Sequence, residues 1–427
     1  MARRGHLLAA LADPGFRRLF AVRLAGQFGD GVFQAGLAGA VLFDPERQAS
    51  PADIAAAFTV LLLPYSLIGP FAGVFLDRWW RQRVLTVANL ARGIGVLGVA
   101  VEIAAGISGV AFYASALVII SISRFVLSAL SAAQPHVVAD AELVTANALS
   151  ATGGAVIAAV GGGAAIAVRA LLGDSDGDYA VIAAAAIIPY LLAASLARRF
   201  RRPELGPSDA ERAARETPGE VLRGLIAGAR HVRGIPPVAN GLVAIGVQRL
   251  CFGIWTVCTV LLYRNYFTGD GLFRAGLGGL GQVVAALAIG AALAAFVTPA
   301  AFRNLGGVWW PAAMLAGSAA VEPSLALPYE PGLVVALGLL LGFGSQAIKI
   351  SVDTLIQHHI VDAFRGRVFA LYDMLFNIAL VLAAILIAAV LPEDGHSPAS
   401  VVAVAAGWAL TAVGYVAASR RHAVVHN

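Results

Sequence analysis

DSDGDYAVIAAAAIIPYLLAASLARRFRR, residues 174–202, decides the fold. Asp174, Asp176 and Asp178 precede nineteen uncharged residues, Tyr179 to Ala197, and Arg198, Arg199, Arg201 and Arg202 follow them. At about 1.5 Å of rise per residue such a run makes a helix close to the thickness of a bilayer's hydrocarbon core. The arginine-rich end belongs to the cytoplasm, the acidic end to the opposite side.

The same pattern recurs along the chain. Apolar runs predict spanning helices at 18–43, 52–76, 84–106, 110–133, 145–171 and 179–198, then at 237–263, 274–297, 307–322, 331–356, 366–391 and 399–419. Of these 307–322 is the weakest, being shortened by Pro311, Glu322 and Pro323. Hydrophobic residues make up 59% of the 427 and charged ones 13%. Soluble domains carry about a quarter charged residues, so this chain cannot cover a water-facing surface. The expected fold is an all-α polytopic membrane protein, with twelve transmembrane helices in two pseudo-symmetric six-helix bundles. Its expected parts are 1–198, a cytoplasmic linker over 199–235, and 236–427.

Arginine placement orients it, every loop agreeing except the one between the fourth and fifth spans, which holds Asp140 and Glu142. Arg3, Arg4, Arg17 and Arg18 precede the first span, Arg78, Arg81 and Arg83 follow the second, and nine arginines lie between Arg198 and Arg233. Both termini and the linker are therefore expected in the cytoplasm, with the protein multi-pass in the cell (inner) membrane. In the linker, Thr217-Pro218-Gly219-Glu220 reads as a capping box that opens an amphipathic helix with Val221, Leu222, Leu225, Ile226, Ala229 and Val232 on one face.

The halves repeat weakly. An offset of 222 pairs His136 with His358, Asp140 with Asp362 and Leu149 with Leu371. Polar residues inside spans are costly and should face protein or water. Here they fall at helical spacing: Arg23, Gln27, Asp30 and Gln34 in the first span; Ser121, Arg124, Ser128 and Ser131 in the fourth; Arg249, Thr256 and Thr259 in the seventh; Gln346, Lys349, Asp353 and Gln357 in the tenth. The first and fourth spans of each half thus nominate a path for a small-molecule substrate, with Asp30 as the titratable group and Arg124 and Arg249 as its electrostatic partners. Lys349 and Asp353, four apart, either neutralise each other or line that path. Arg124, Arg249 and Lys349 against Asp30 and Asp353 favour an anionic or amphipathic solute.

Other chemistries find little support. No glycine-rich phosphate loop is present and the single lysine, Lys349, lies between isoleucines, so no nucleotide site is read and no nucleic-acid partner is indicated. Histidines are scattered, with His136, His358 and His359 at span ends beside no cysteine cluster, which points to no metal, no cofactor and no enzyme. Cys251 and Cys258 read as packing residues.

Gly73-Val74-Phe75-Leu76-Asp77-Arg78-Trp79-Trp80-Arg81-Gln82-Arg83 resembles the loop signature of the major facilitator superfamily through Gly73, Asp77, Arg78 and Arg81. The resemblance implies that Asp77, Arg78 and Arg81 form a cytoplasmic gate, to which Arg365 and Arg367 are added from the other half. Arg365-Gly366-Arg367-Val368-Phe369-Ala370-Leu371-Tyr372 is similar to a block of macrolide-efflux-like exporters, as are Gly29-Asp30 and the stretch holding Ala146-Asn147. That branch implies a drug–proton antiporter, with protons as the coupling partner. A lysolipid or siderophore transporter without proton antiport, and an importer of the same fold, are the alternatives.

Overall fold

The computed structural model describes residues 12–39, 52, 55–56, 59–60, 76, 79–107, 109–139, 142–173, 175–208, 217–269, 271–273 and 275–425. The second expected span, 52–76, and the gate residues Gly73, Asp77 and Arg78 fall largely or wholly outside them, as does Asp140. Among the described residues the chain is helical throughout, with no strand.

In chain order the helices are α1 (Pro14–Ala38), α2 (Arg81–Ala104), α3 (Val110–Ala133), α4 (Leu143–Leu172) and α5 (Asp176–Arg198). The linker helix α6 (Pro218–Arg233) and α7 (Pro236–Leu261) follow. A 51-residue helical stretch, Gly276–Ala326, comes next and breaks at Gly306, whose φ of 84° lies where a side chain is disfavoured. It is two helices, α8 (276–305) and α9 (307–326). The chain ends with α10 (Pro331–His359), α11 (Asp362–Ala388) and α12 (Pro398–Val425). Nine described helices are long and apolar enough to cross a membrane. Dividing the one that breaks at Gly306 and adding the 25-residue α1 brings the described spans to eleven. That agrees with twelve, since the remaining one falls where the described residues are sparse. The ninth span also runs further than its prolines suggested, helical through Pro311 and Pro323 to Ala326.

Local chemistry sets these boundaries. Asp13 caps α1, its carboxylate accepting from the Gly15 and Phe16 amides at 2.7 and 3.0 Å, with Pro14 in the first turn. Ser175 and Asp178 form a capping box at the start of α5. Inside α5 the helix loosens at Ala186, because Pro189 has no amide to give the carbonyl four residues back.

The described helices fall into two compact units, with the boundary at Val221/Leu222. In the first, α1 lies against α4 and α5, and α2 against α3 and α5. In the second, α7 lies against α11 and α12, and α8–α9 against α10 and α12. Each unit brings its first and fifth spans together at a glycine. A Cβ on Gly31 of α1 would overlap the Ala158 carbonyl of α4, and one on Gly253 of α7 would lie 2.6 Å from the Ala383 Cβ of α11. Outward faces carry exposed Ile94, Val110, Phe296 and Leu410, as surfaces in lipid do.

At the linker, the Thr217 hydroxyl accepts from the Glu220 amide at 3.3 Å and the Glu220 carboxylate accepts from the Thr217 amide at 2.6 Å. Helix α6 then settles on the start of α11: Leu225, Gly228 and Val232 are buried, and the His231 ring stacks on Phe364 at 4.4 Å. Leu222 and Ile226, from the same apolar face, stay exposed, because the closest approach is at Gly224 and Gly228, which rest on Arg367.

Candidate functional site

The charged stripes resolve into two buried clusters, one in each unit. In the first, α1 carries Asp30 into the protein at its middle. Arg92 of α2 reaches the same point and donates to Asp30 Oδ1 at 2.8 Å. Ser123 of α3 and Tyr190 of α5 donate to that oxygen as well, at 2.7 and 2.9 Å. The Arg92 guanidinium also donates to the Ser123 hydroxyl at 3.0 Å and to the Asn89 side chain, and it lies 4.2 Å over the Tyr190 ring. Arg92 is 1% exposed. A buried charge survives only when paired and hydrogen-bonded, and here four helices contribute to that end. Gly26 and Gly29 make room, since side chains there would press on Arg92 and Tyr190.

The ion pair of Asp30 is thus with Arg92 rather than with Arg124, which sequence spacing nominated. Arg124 is half-buried on α3 and within electrostatic range of Asp30. Ser123, one position off the expected stripe, makes the contact. Arg92 and Tyr190 were not singled out from the sequence at all. Their signal was there: Asn89 and Arg92 are three apart, one helical turn, in the middle of an uninterrupted apolar run, where an arginine demands a partner. Gln27 accepts from Arg23 at 2.9 Å, and Gln34 is half-buried a turn beyond Asp30.

The second cluster is organised differently. Arg249 of α7 is 7% exposed, and its guanidinium lies 3.8 Å over the Phe376 ring of α11 and 5.3 Å over Phe252. Among the described residues no carboxylate lies within ion-pair distance of it, and its Nε has no hydrogen-bond partner. Tyr372, one turn before Phe376, is buried with its hydroxyl equally without a partner among those residues. Lys349 of α10 lies 5.4 Å over the Tyr372 ring and donates to Asp353 at 2.8 Å, so those two charges are matched on their own helix. Gln346, half-buried, precedes them by one turn. Thr256 turns its hydroxyl back onto the Phe252 carbonyl at 2.7 Å. The cluster is a cation over two aromatic rings, with a guanidinium Nε free to donate.

The described residues among those expected to form a gate sit at helix ends. Arg81 is buried in the first unit, where its guanidinium donates to the Ala132 carbonyl at 3.0 Å and meets His136 Nε2 at 2.7 Å. Arg365 donates to the Gln357 and Ile360 carbonyls at 3.4 and 3.3 Å, capping the end of α10. Arg367 lies beneath α6, its guanidinium 5.7 Å over Phe364. Cys251 and Cys258 are buried free thiols.

Comparison with known proteins places this architecture. Residues 19–384 match the family model of the Major Facilitator Superfamily. An uncharacterized MFS-type transporter of Mycobacterium bovis is 42% identical over 389 residues, 90% of this chain and 87% of that one. An uncharacterized MFS-type transporter of Mycobacterium tuberculosis matches to the same extent. Among solved structures, the POT family transporter PepTSo superposes with a TM-score of 0.69 at 13% identity, covering 96% of this chain and 98% of that one. The nucleoside transporter NupG superposes at 0.64 and 13%, covering 97% and 99%. At those identities the likeness is one of fold; the family model and the mycobacterial relatives carry the assignment, by which this chain, multi-pass and helical, belongs to the Major Facilitator Superfamily of membrane transporters.

Proposed function

We propose that this transporter is a proton-coupled exporter of an amphipathic anionic small molecule, working by alternating access. The observation that carries the substrate class is Arg249: a buried guanidinium over two aromatic rings, with no carboxylate in ion-pair range among the described residues. A carboxylate, sulfonate or phosphate on an apolar body would supply the missing charge and cover Phe252 and Phe376. Export and proton coupling rest on the similarity of the Arg365–Tyr372 block and of Gly29-Asp30 to macrolide-efflux-like exporters.

One observation favours the second reading, transport of such an anion without proton antiport. The Asp30 carboxylate already has a counter-charge in Arg92 and accepts from Ser123 and Tyr190, so its charge is matched within the unit without a coupling ion. Uptake into inverted membrane vesicles separates the readings. With an acidic lumen, aromatic carboxylates and sulfonates should accumulate, hydrophobic cations should not, and a protonophore should abolish accumulation. Anion uptake indifferent to the pH gradient selects the uncoupled reading. Accumulation of cations alone removes Arg249 as the carrier of the argument.

A further inference from the structure

The first unit holds a second basic feature, away from Asp30 and Arg92. Helices α2 and α5 run side by side so that the start of one meets the end of the other, with the Gln82 amide donating to the Ala197 carbonyl at 3.5 Å. Between them lies a cleft of about 1000 Å³. Arg83 from α2, Arg198 at the end of α5, and Arg199, Arg201 and Arg202 just after it line its mouth. All five are exposed, and none has a carboxylate within ion-pair distance among the described residues. The nearby Glu204 carboxylate instead faces Arg18 at 4.0 Å. Below the arginines the wall turns apolar, with exposed Val87, Leu90 and Leu191. Cations over an apolar channel on a lipid-facing surface, at the end that charge asymmetry assigns to the cytoplasm, match an anionic lipid in both of its parts.

We propose that this cleft binds a phospholipid carrying two phosphate groups, its headgroup held by the five arginines and an acyl chain lying along Val87, Leu90 and Leu191. Five guanidiniums allow two per phosphate, the forked geometry that arginine offers to phosphate oxygens. A singly charged headgroup leaves most of them unmatched. Seating on both helix ends at once, the lipid would tie α2 to α5 at the same end where Arg81 ties α2 to α3.

Cardiolipin and phosphatidylglycerol, presented at equal phosphate to the purified full-length chain in detergent, test this by native mass spectrometry with melting temperature followed in parallel. Wild type should bind one cardiolipin in preference to phosphatidylglycerol and melt higher with it. Near a membrane surface each arginine contributes enough that R199Q or R202Q alone should weaken cardiolipin binding about fivefold, and R198Q/R199Q/R202Q together about a hundredfold. Arg230→Gln, on α6 and outside the cleft, should leave binding unchanged. Inorganic phosphate, having charge but no chain, should not displace the lipid. Equal binding of both lipids, single variants that bind like wild type, or displacement by inorganic phosphate would each overturn the proposal. The single variants keep the test open if the triple variant does not fold.

Discussion

Asp30 and Arg249 are both charges buried within spanning helices, yet one is fully matched inside its own unit and the other is not. Asp30 meets a guanidinium and two hydroxyls from three neighbouring helices. Arg249 meets two aromatic rings. The first arrangement holds helices together, because each of α1, α2, α3 and α5 contributes an atom that needs the others. The second joins α7 to α11 through a cation over a ring, and under the proposed function its charge serves the substrate. Removing one member of a matched buried pair strands the other, whereas removing a buried charge without a partner strands nothing.

The largest expected effect comes from breaking the matched pair. Arg92→Met leaves the Asp30 carboxylate buried with hydroxyl donors only, and removing one partner of a buried pair costs about 3–5 kcal/mol. The variant should reach the membrane poorly and melt well below wild type in detergent. Asp30→Asn combined with Arg92→Met removes both charges and should recover much of that loss, so the two substitutions will be strongly non-additive. If R92M melts like wild type, the cluster is not what joins the four helices.

Next comes the unmatched charge. Arg249→Gln should leave the melting temperature close to wild type while lowering transport of an anionic substrate about tenfold or more, since a charge-assisted contact to a ligand is worth about 1.5–3 kcal/mol. The loss should appear as a higher half-saturating concentration, and Arg249→Lys should restore part of it. A variant that transports normally but melts low would reverse the comparison and make Arg249 a structural residue.

How much of this was legible beforehand differs between the clusters for a physical reason. Apolar run length and arginine placement set the spans, because a bilayer imposes one thickness and one charge asymmetry on every helix. Spacing within a helix found Asp30, Arg249, Lys349 and Asp353, since that periodicity is local. It did not find the partnership of Asp30 with Arg92, Ser123 and Tyr190, which joins positions 62, 93 and 160 residues apart. Three-dimensional crossing decides such contacts, and spacing along one helix is silent about them. Ser123 shows the limit most plainly: it lies next to Arg124 in sequence, yet it is the side chain that reaches Asp30. Glu322 is a related case. In the sequence it counted only as a charge that shortened a span, and in the structure it is 2% exposed inside α9.

Glu322 gives the smallest effect and the sharpest contrast with Asp30. One of its carboxyl oxygens is buried with no hydrogen-bond partner among the described residues. It borders a cavity of about 20 Å³, room for a single water, shared with Trp255 and Cys258 of α7 and Val401 of α12. The same isosteric exchange, carboxyl to amide, should therefore differ in size between the two units. Asp30→Asn strips Arg92 of its counter-charge and should lower the melting temperature. Glu322→Gln breaks no ion pair among the described residues and should move it by less than about 2 °C. Thermal unfolding of the two variants side by side in one detergent decides the matter. Should Glu322→Gln fall as far as Asp30→Asn, then Glu322 is matched as tightly as Asp30, and the contrast between the two carboxyls would vanish.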